Sequence, residues 1–273
     1  MRDLRSTRVL VIVTIAFAAL AGCTVGAKND PSSTAASNTS PIGLASAPPP
    51  REAPPPAPPA ACPPEMVLVS GDYCPKPEHQ CLRWLDPPGP YHEYRCAEYK
   101  KPAHCAATRE KKSFCIDREE YVKPGETLPL ANQSWTSAGE VCKERGMRLC
   151  LESEWQFACE GPDMHPYPYG DGFTRDATAC NVDRMDLGKP GAGLRDLRAP
   201  VSEYPKCVSP FGVHDMSGNI EEWTTLDKGV APDRSSMKGA WWLPGKNTCR
   251  AATLGHGETY NGKQVGVRCC KDI

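Results

Sequence analysis

Phe211-Gly212-Val213-His214-Asp215-Met216-Ser217-Gly218-Asn219-Ile220-Glu221-Glu222-Trp223 is the segment on which the fold assignment turns. Two carboxylate positions, Asp215 and Glu222, and two turn formers, Gly218 and Asn219, stand among apolar residues. A glycine takes backbone angles that side-chain-bearing residues adopt only at a cost, so the chain can double back at Gly218. A doubled-back chain points carbonyl oxygens inward, and beside Asp and Glu oxygens these suit a hard cation such as Ca²⁺. The spacing is not that of an EF-hand loop. The alternative is plainer: Asn219 followed three residues later by Glu222 is a capping box, which only starts a short helix.

The N-terminal end reads as an export signal. Arg2, Arg5 and Arg8 precede an apolar run from Val9 to Leu20, and Leu20-Ala21-Gly22-Cys23 supplies a small-residue cleavage site. A transmembrane helix is the alternative, but a bilayer takes about 20 apolar residues and this run is shorter. The Leu-Ala-Gly-Cys ending resembles a bacterial lipobox. That implies a signal over residues 1–23 cleaved before Cys23, acylation of Cys23, and an extracytoplasmic protein held at a membrane by its lipid. Each buried CH₂ contributes roughly 0.8 kcal/mol, so two or more acyl chains hold where one holds marginally. Thr24 rather than Asp follows the cysteine, so the outer membrane is the expected address.

Residues 24–61 hold ten prolines and no aromatic residue, and such a segment cannot bury enough apolar surface to offset its ordering entropy. The Pro/Ala stretch from Ala47 to Ala61 is expected as a stiff polyproline spacer. Residues 62–273 are long enough for a sizeable core, and with no second linker and no repeat they read as one domain. The net charge of −1 argues against a nucleic-acid partner. The run Arg109-Glu110-Lys111-Lys112 reads as a solvated loop.

Of fifteen cysteines, fourteen follow Cys23, an even number that in an exported chain implies disulfides. Zinc or iron–sulfur is the alternative, weakened by the absence of any Cys-x-x-Cys. Cys62, Cys74, Cys81, Cys96, Cys105 and Cys115 crowd a Pro-rich region where bridges would substitute for regular structure, and their pairing stays open. Farther on, Ser137-Ala138-Gly139-Glu140 reads as a capping box for a helix stopping at Gly146. A second helix is expected over Glu152–Glu160, ending at Gly161, with Leu151, Trp155, Ala158 and Cys159 on one face.

Gly218-Asn219-Ile220-Glu221-Glu222-Trp223 is similar to the Gly-Asn-x-x-Glu-Trp signature of the formylglycine-generating enzyme (sulfatase-modifying factor) family. Arg148-Leu149-Cys150-Leu151-Glu152-Ser153-Glu154-Trp155 resembles its Arg-Leu-Pro-Thr-Glu-Ala-Glu-Trp block. Further resembling blocks, in the family's order, are Pro64 to Val69, Phe114 to Tyr121, Tyr167 to Asp171, Asn181-Val182, Ala199 to Val201, Lys238 to Trp241 and Gly266 to Cys269. The resemblance implies an α+β, C-type-lectin-like fold, loop-rich and disulfide-stapled, with two early helices and short antiparallel strands. It implies structural calcium at Asp215, Gly218, Ile220 and Glu222, and a first calcium site beginning at Asn181 and Val182. It also implies bridges Cys142–Cys269 and Cys159–Cys249. The first closes a loop long enough to contribute about 4–5 kcal/mol in the entropic model. Cys150–Cys270 and Cys180–Cys207 are a guess for two more.

The family's oxidase converts a sulfatase cysteine to formylglycine with O₂ and Cu(I), a soft ion that takes a pair of thiolates. The positions of those thiolates fall at about Leu243 and Gly245 here. Cys249 is the lone cysteine between Cys207 and Cys269, and Thr253 replaces a family arginine. Copper is therefore not expected. Adjacent Cys269-Cys270 is the alternative pair, but Cys269 already has a structural partner to serve. Some relatives use non-haem iron, which needs two histidines and a carboxylate; the six histidines here are scattered. Two readings follow. One is a lipid-anchored, envelope-associated binding module, in which Trp241, Trp242 and Tyr260 either grip a peptide or glycan or, as the favoured alternative, form ordinary buried core. The other is a working oxidase acting on a sulfatase cysteine.

Overall fold

The computed structural model describes residues 61–185 and 195–273. The export signal, Cys23 and residues 24–60 of the tether lie outside the described residues. In chain order the elements are β1 (Met66–Tyr73), β2 (Pro77–Glu78), β3 (Cys81–Trp84), β4 (Cys96–Tyr99), β5 (His104–Cys105) and β6 (Glu110–Asp117). Then come α1 (Trp135–Glu144), β7 (Arg148–Leu149), α2 (Glu152–Glu160), β8 (Glu221–Thr225), β9 (Ser235–Lys238), β10 (Ala252–Thr253), β11 (Val265–Gly266) and β12 (Cys269–Lys271). One sheet runs β1-β6-β12-β7 and a second β10-β9-β8-β11, with two small ladders, β2-β5 and β3-β4. Pairing is antiparallel except between β8 and β11. A bridge between Leu151 and Thr225 connects the sheets beside α2.

The region before residue 120, expected to lack regular structure, carries six strands. Its bridges reinforce ladders instead of replacing them. Cys81–Cys96 spans β3 and β4, Cys74–Cys105 follows β1 to β5, and Cys62–Cys115 fastens the chain before β1 to β6. The charged run Glu110–Lys112 is strand rather than loop, because it pairs with Lys112↔Gly71, Lys111↔Asp72 and Glu110↔Tyr73. That half of β6 has β1 alone as neighbour and stays polar. The other half, Phe114–Asp117, lies between β1 and β12 and is buried.

The N-cap of α1 lies three residues before the expected one. Ser134 is the N-cap: its hydroxyl accepts the Ser137 N–H at 3.0 Å, and Ser137 Oγ accepts the Ser134 N–H at 2.9 Å. Serine here takes the part usually given to Glu or Gln. Helix α2 occupies Glu152–Glu160 and ends at Gly161 (φ 66°). Its N-cap, Leu151, has no side-chain acceptor. Glu154 Oε2 accepts the Leu151 N–H at 2.8 Å, and Asp227 accepts the Ser153 N–H at 3.0 Å from the β8–β9 connection. The helix is buried all round from Ser153 onward rather than on one face. Trp155 and Phe157 are fully buried, each contributing about 1.5–3 kcal/mol by leaving water. Around them pack Val67, Val69, Phe114, Ile116, Val213 and Met216. A second cluster joins Cys142 of α1 to Trp223, Met237, Val265 and Val267.

Every cysteine among the described residues is bridged. Besides the three pairs named, these are Cys142–Cys269, Cys150–Cys270, Cys159–Cys249 and Cys180–Cys207. The adjacent Cys269 and Cys270 thus go to opposite partners, one to α1 and one to the residue after β7. Among the described residues, no helix is long and apolar enough to cross a membrane.

Candidate functional site

The stretch from Asp215 to Trp223 enters the core and continues as β8, so the helix reading of Asn219 and Glu222 fails. Glu222 and Trp223 pair with Lys238 and Met237 of β9, while Glu222 also lies beside Gly266 of β11. Long-range pairing outweighs a local capping pattern. The turn before the strand does need glycine. Gly218 has φ 86°, and a Cβ there would stand 2.4 Å from both Asn181 O and Val182 Cγ1. Its N–H donates to Gly239 O at 2.8 Å.

Asn219, also at positive φ (58°), gathers three segments. Its N–H donates to Asn181 O at 2.9 Å, and its Oδ1 accepts from Asn181 Nδ2 (2.9 Å) and Ala199 N (2.8 Å). Its Nδ2 donates to Glu120 Oε2 at 2.5 Å. Asp215 is held by its N–H to Cys207 O at 2.9 Å and is almost wholly buried.

Glu222 faces Arg268, which sits between β11 and β12, and both side chains are buried. Arg268 Nε donates to Oε1 (2.9 Å) and Oε2 (2.8 Å), and Nη2 donates to Oε1 (2.7 Å). Trp155 Nε1 adds a hydrogen bond to Oε2 at 2.5 Å. The remaining guanidinium donors reach the carbonyls of Asp117, Arg118 and His214 at 2.9, 3.1 and 2.8 Å. A guanidinium has five N–H groups, and this arrangement uses the whole fork.

The ligand set implied for calcium can be tested on these contacts. Glu222 accepts from three N–H groups, Arg268 Nε (shared between both oxygens), Arg268 Nη2 and Trp155 Nε1, so both of its oxygens are already engaged. Asn181 Oδ1 accepts from Arg184 Nη1 at 3.3 Å, so a cationic side chain already stands there. Val182 is buried and packs against Gly218, and Ile220 is a core residue, so an ion would meet their backbone carbonyls rather than their side chains. Asp215 differs, because its Oδ2 is buried without a partner. Gly218 and Ile220 would serve through their backbone carbonyls, so the side-chain part of the set rests on two carboxylates: Glu222 is held by Arg268 and Trp155, and Asp215 retains an oxygen to give. Sequence reasoning missed Glu119 and Glu120, which also carry buried oxygens without partners. Burial, with Asp215 and Glu222 adding repulsion, holds the Glu120 carboxyl well above the usual range. Burial likewise pushes Asp215 up to about 7, against the pull of Arg268.

The loop after β9 is where the family's soft metal would sit. It is docked on the Asp215–Asn219 turn through Ser217 Oγ to Asn247 O (2.9 Å), and on the segment after Cys180 through Arg184 N to Trp242 O (2.8 Å). Leu243 and Gly245 supply no donor atom for Cu(I), and Cys249 is bridged to Cys159. No thiolate is present among the described residues, so the side chains do not fit a bis-thiolate copper centre. Thr253, in the place of the family arginine, donates to the buried Glu221 at 2.6 Å. Trp242 is fully buried and does not face a ligand. Trp241 is half-buried against it, while Tyr260 stacks on His256 at 4.0 Å.

A family model described as Sulfatase-modifying factor enzyme 1-like domain matches residues 90–273. The chain belongs to that family. Within this sulfatase-modifying-factor family it is 30% identical over 151 residues to the mouse protein (Mus musculus) named Inactive C-alpha-formylglycine-generating enzyme 2, covering 52% of this chain and 48% of the relative. It is 27% identical over 101 residues to the mouse Formylglycine-generating enzyme, covering 36% and 27%. The chain thus spans about half or less of the length of these relatives. Among solved structures, that of CarF superimposes with a TM-score of 0.51 at 16% identity, covering 77% of this chain and 98% of that one, a likeness of fold. The formylglycine-generating-enzyme fold expected from the short blocks is therefore the fold of this domain.

Proposed function

We propose that the protein is an extracytoplasmic, lipid-anchored domain of the formylglycine-generating-enzyme type that works as a binding module at the cell envelope, without copper oxidase chemistry. The observation that carries this is chemical. Where the oxidase needs a pair of thiolates, the chain has Leu243 and Gly245, and Cys249 is committed to a bridge with Cys159. The relative named as an inactive formylglycine-generating enzyme supports the same direction. The anchor rests on Cys23 and its Leu-Ala-Gly-Cys context, and the Pro/Ala spacer would hold the domain off the lipid. The ligand class is a peptide or glycan, met by the half-buried ring of Trp241 and the loop around it.

The test is to incubate the purified chain with Cu(I), O₂ and a sulfatase-type Cys-x-Pro-x-Arg peptide. The expected outcome is a peptide thiol that titrates unchanged, with no aldehyde. Aldehyde formed at multiple turnovers per chain would overturn the reading.

A further inference from the structure

The hairpin β3–β4 crowds apolar side chains onto the surface. Of nine large apolar residues that stand exposed among the described residues, four lie between residues 82 and 94. They are Leu82 (56% exposed), Leu85 (42%), Tyr91 (76%) and Tyr94 (44%). Single exposed apolar residues are ordinary, whereas a group of them marks a contact surface. Residues 81–89, which carry both leucines, precede the stretch 90–273 matched by the family model, so membership of the family does not account for them.

The hairpin is also held in one shape. Cys81–Cys96 staples its base. Arg95 Nε donates to both Asp86 oxygens (3.2 and 3.0 Å), and Arg95 Nη1 reaches Asp183 Oδ1 at 3.0 Å, 88 residues along the chain. Pro87-Pro88-Gly89-Pro90 makes the turn, where His92 N donates to Gly89 O and Tyr94 N to Tyr91 O, both at 3.1 Å. The rings of Tyr91 and Tyr94 meet edge to face at 6.4 Å. Aromatic side chains fixed on an ordered loop lose little freedom when a partner covers them.

Charge and backbone narrow the partner. Arg83 faces Glu98 at 3.8 Å and Arg95 is paired with Asp86, while Lys246, from the loop after β9, lies over the Tyr94 ring at 5.7 Å. Glu93, exposed between the two tyrosines, has no hydrogen bond or ion pair among the described residues. The unanswered charge is negative, so its complement is a cation. A lipid surface fits poorly, because Glu93 would be carried into the apolar layer with its neighbours. A glycan, covered in hydroxyls, gains little from Leu85, whereas an apolar peptide side chain gains by leaving water there. The main chain adds a second argument. β4 is the one strand paired with β3, and Thr174 bridges the other side of β4 at Glu98, so the outer edge of β3 is open. Such an edge pairs with an extended peptide.

We propose that this hairpin docks an extended peptide segment bearing apolar and basic side chains, with Leu85, Tyr91 and Tyr94 meeting the apolar ones and Glu93 the basic ones. The inference rests on the reading of the domain as a binding module, and it selects peptide over glycan. The test pans a displayed library of random dodecapeptides against the full chain without copper, and measures the selected peptides by fluorescence anisotropy. Enrichment of Lys or Arg beside Leu, Phe, Tyr or Trp is expected. Tyr91→Ser, at a mostly exposed residue, should weaken the selected peptides at least about tenfold with an unchanged melting temperature. Glu93→Lys should turn the preference to versions of those peptides in which Glu replaces Lys and Arg. No enrichment, enrichment of acidic peptides, wild-type affinity in Tyr91→Ser, or a charge preference untouched by Glu93→Lys would each overturn the proposal. So would displacement of the peptide by chitotetraose, or by phosphatidylethanolamine–phosphatidylglycerol vesicles from a Cys23→Ser chain that carries no lipid. Aldehyde formation with Cu(I) bears on the binding-module reading alone, so the two failures are told apart.

Discussion

Replacing Arg268 by methionine should be among the most damaging single changes in this chain. The substitution keeps an apolar body of similar length but removes all the donors of the guanidinium. Glu222 is left with the Trp155 N–H alone, at a residue without solvent contact. The carbonyls of Asp117, Arg118 and His214 each lose a partner. Removing one member of a buried ion pair costs about 3–5 kcal/mol. Carbonyls left unpaired in a dry site push the loss to the upper end of that range. Against a domain stability of about 5–15 kcal/mol, a loss of about 5 is a large part of the whole. With a urea m-value of about 2 kcal/mol/M, the midpoint should fall by roughly 2–3 M, measured by tryptophan fluorescence with the disulfides intact. The companion Arg268→Met/Glu222→Leu removes the stranded charge as well and should recover at least about 2 kcal/mol of the loss. A single variant that fails to fold while the double one folds supports the same conclusion. A midpoint shift under about 0.5 M, or a double variant no better than the single one, would refute the idea that this pair holds the two C-terminal strands to β8.

Gly218→Ala places a Cβ 2.4 Å from a backbone oxygen at φ 86°, while Gly212→Ala meets the same φ with nothing within 4 Å. Gly212→Ala should therefore cost about 1–2 kcal/mol of conformational strain. Gly218→Ala should cost about 2 kcal/mol more in urea unfolding; equal losses would count against the close approach. Lys238 is buried beside Glu152 (3.4 Å), and burial pulls its pKa down to about 8. Between that value and the ordinary lysine range the unfolded chain holds the proton and the folded one does not, so this group's contribution to stability rises with pH. The stability of the wild type minus that of Lys238→Met should climb by about 2 kcal/mol from pH 7.5 to 9.5, and a flat difference would refute it. Measurements should stop below pH 10, because Tyr73, pushed up to about 12 by burial, favours the unfolded state above it.

Local chemistry carried the sequence reading well and long-range chemistry carried it poorly. Helix α2 was legible because Glu152–Glu160 is followed by Gly161, and the glycine sits in the chain whatever the fold does. The start of α1 was displaced because Ser134 and Ser137 satisfy each other without the acidic residue that the usual pattern seeks. Asn219 and Glu222 satisfied a helix rule, yet strands β9 and β11 on either side of β8 decided otherwise. Only the closing of the chain brings those strands near.

The same division runs through the site. The lack of a thiolate pair was visible at once, since a soft metal depends on which residue occupies a position. A buried carboxylate depends instead on who its neighbour is. Glu222 looks like a free ligand until Arg268, 46 residues later, reaches back to it. Glu119 and Glu120 look like surface acids in a charged run until Asn219, 99 residues beyond Glu120, draws one of them inward. Arg268, hydrogen-bonded to Glu222, acts on Glu120 and Asp215 only through its charge. Burial outweighs that pull and raises both carboxyls. Which of these acids keeps its charge is therefore set by residues far apart in the chain, and no local signature could state it.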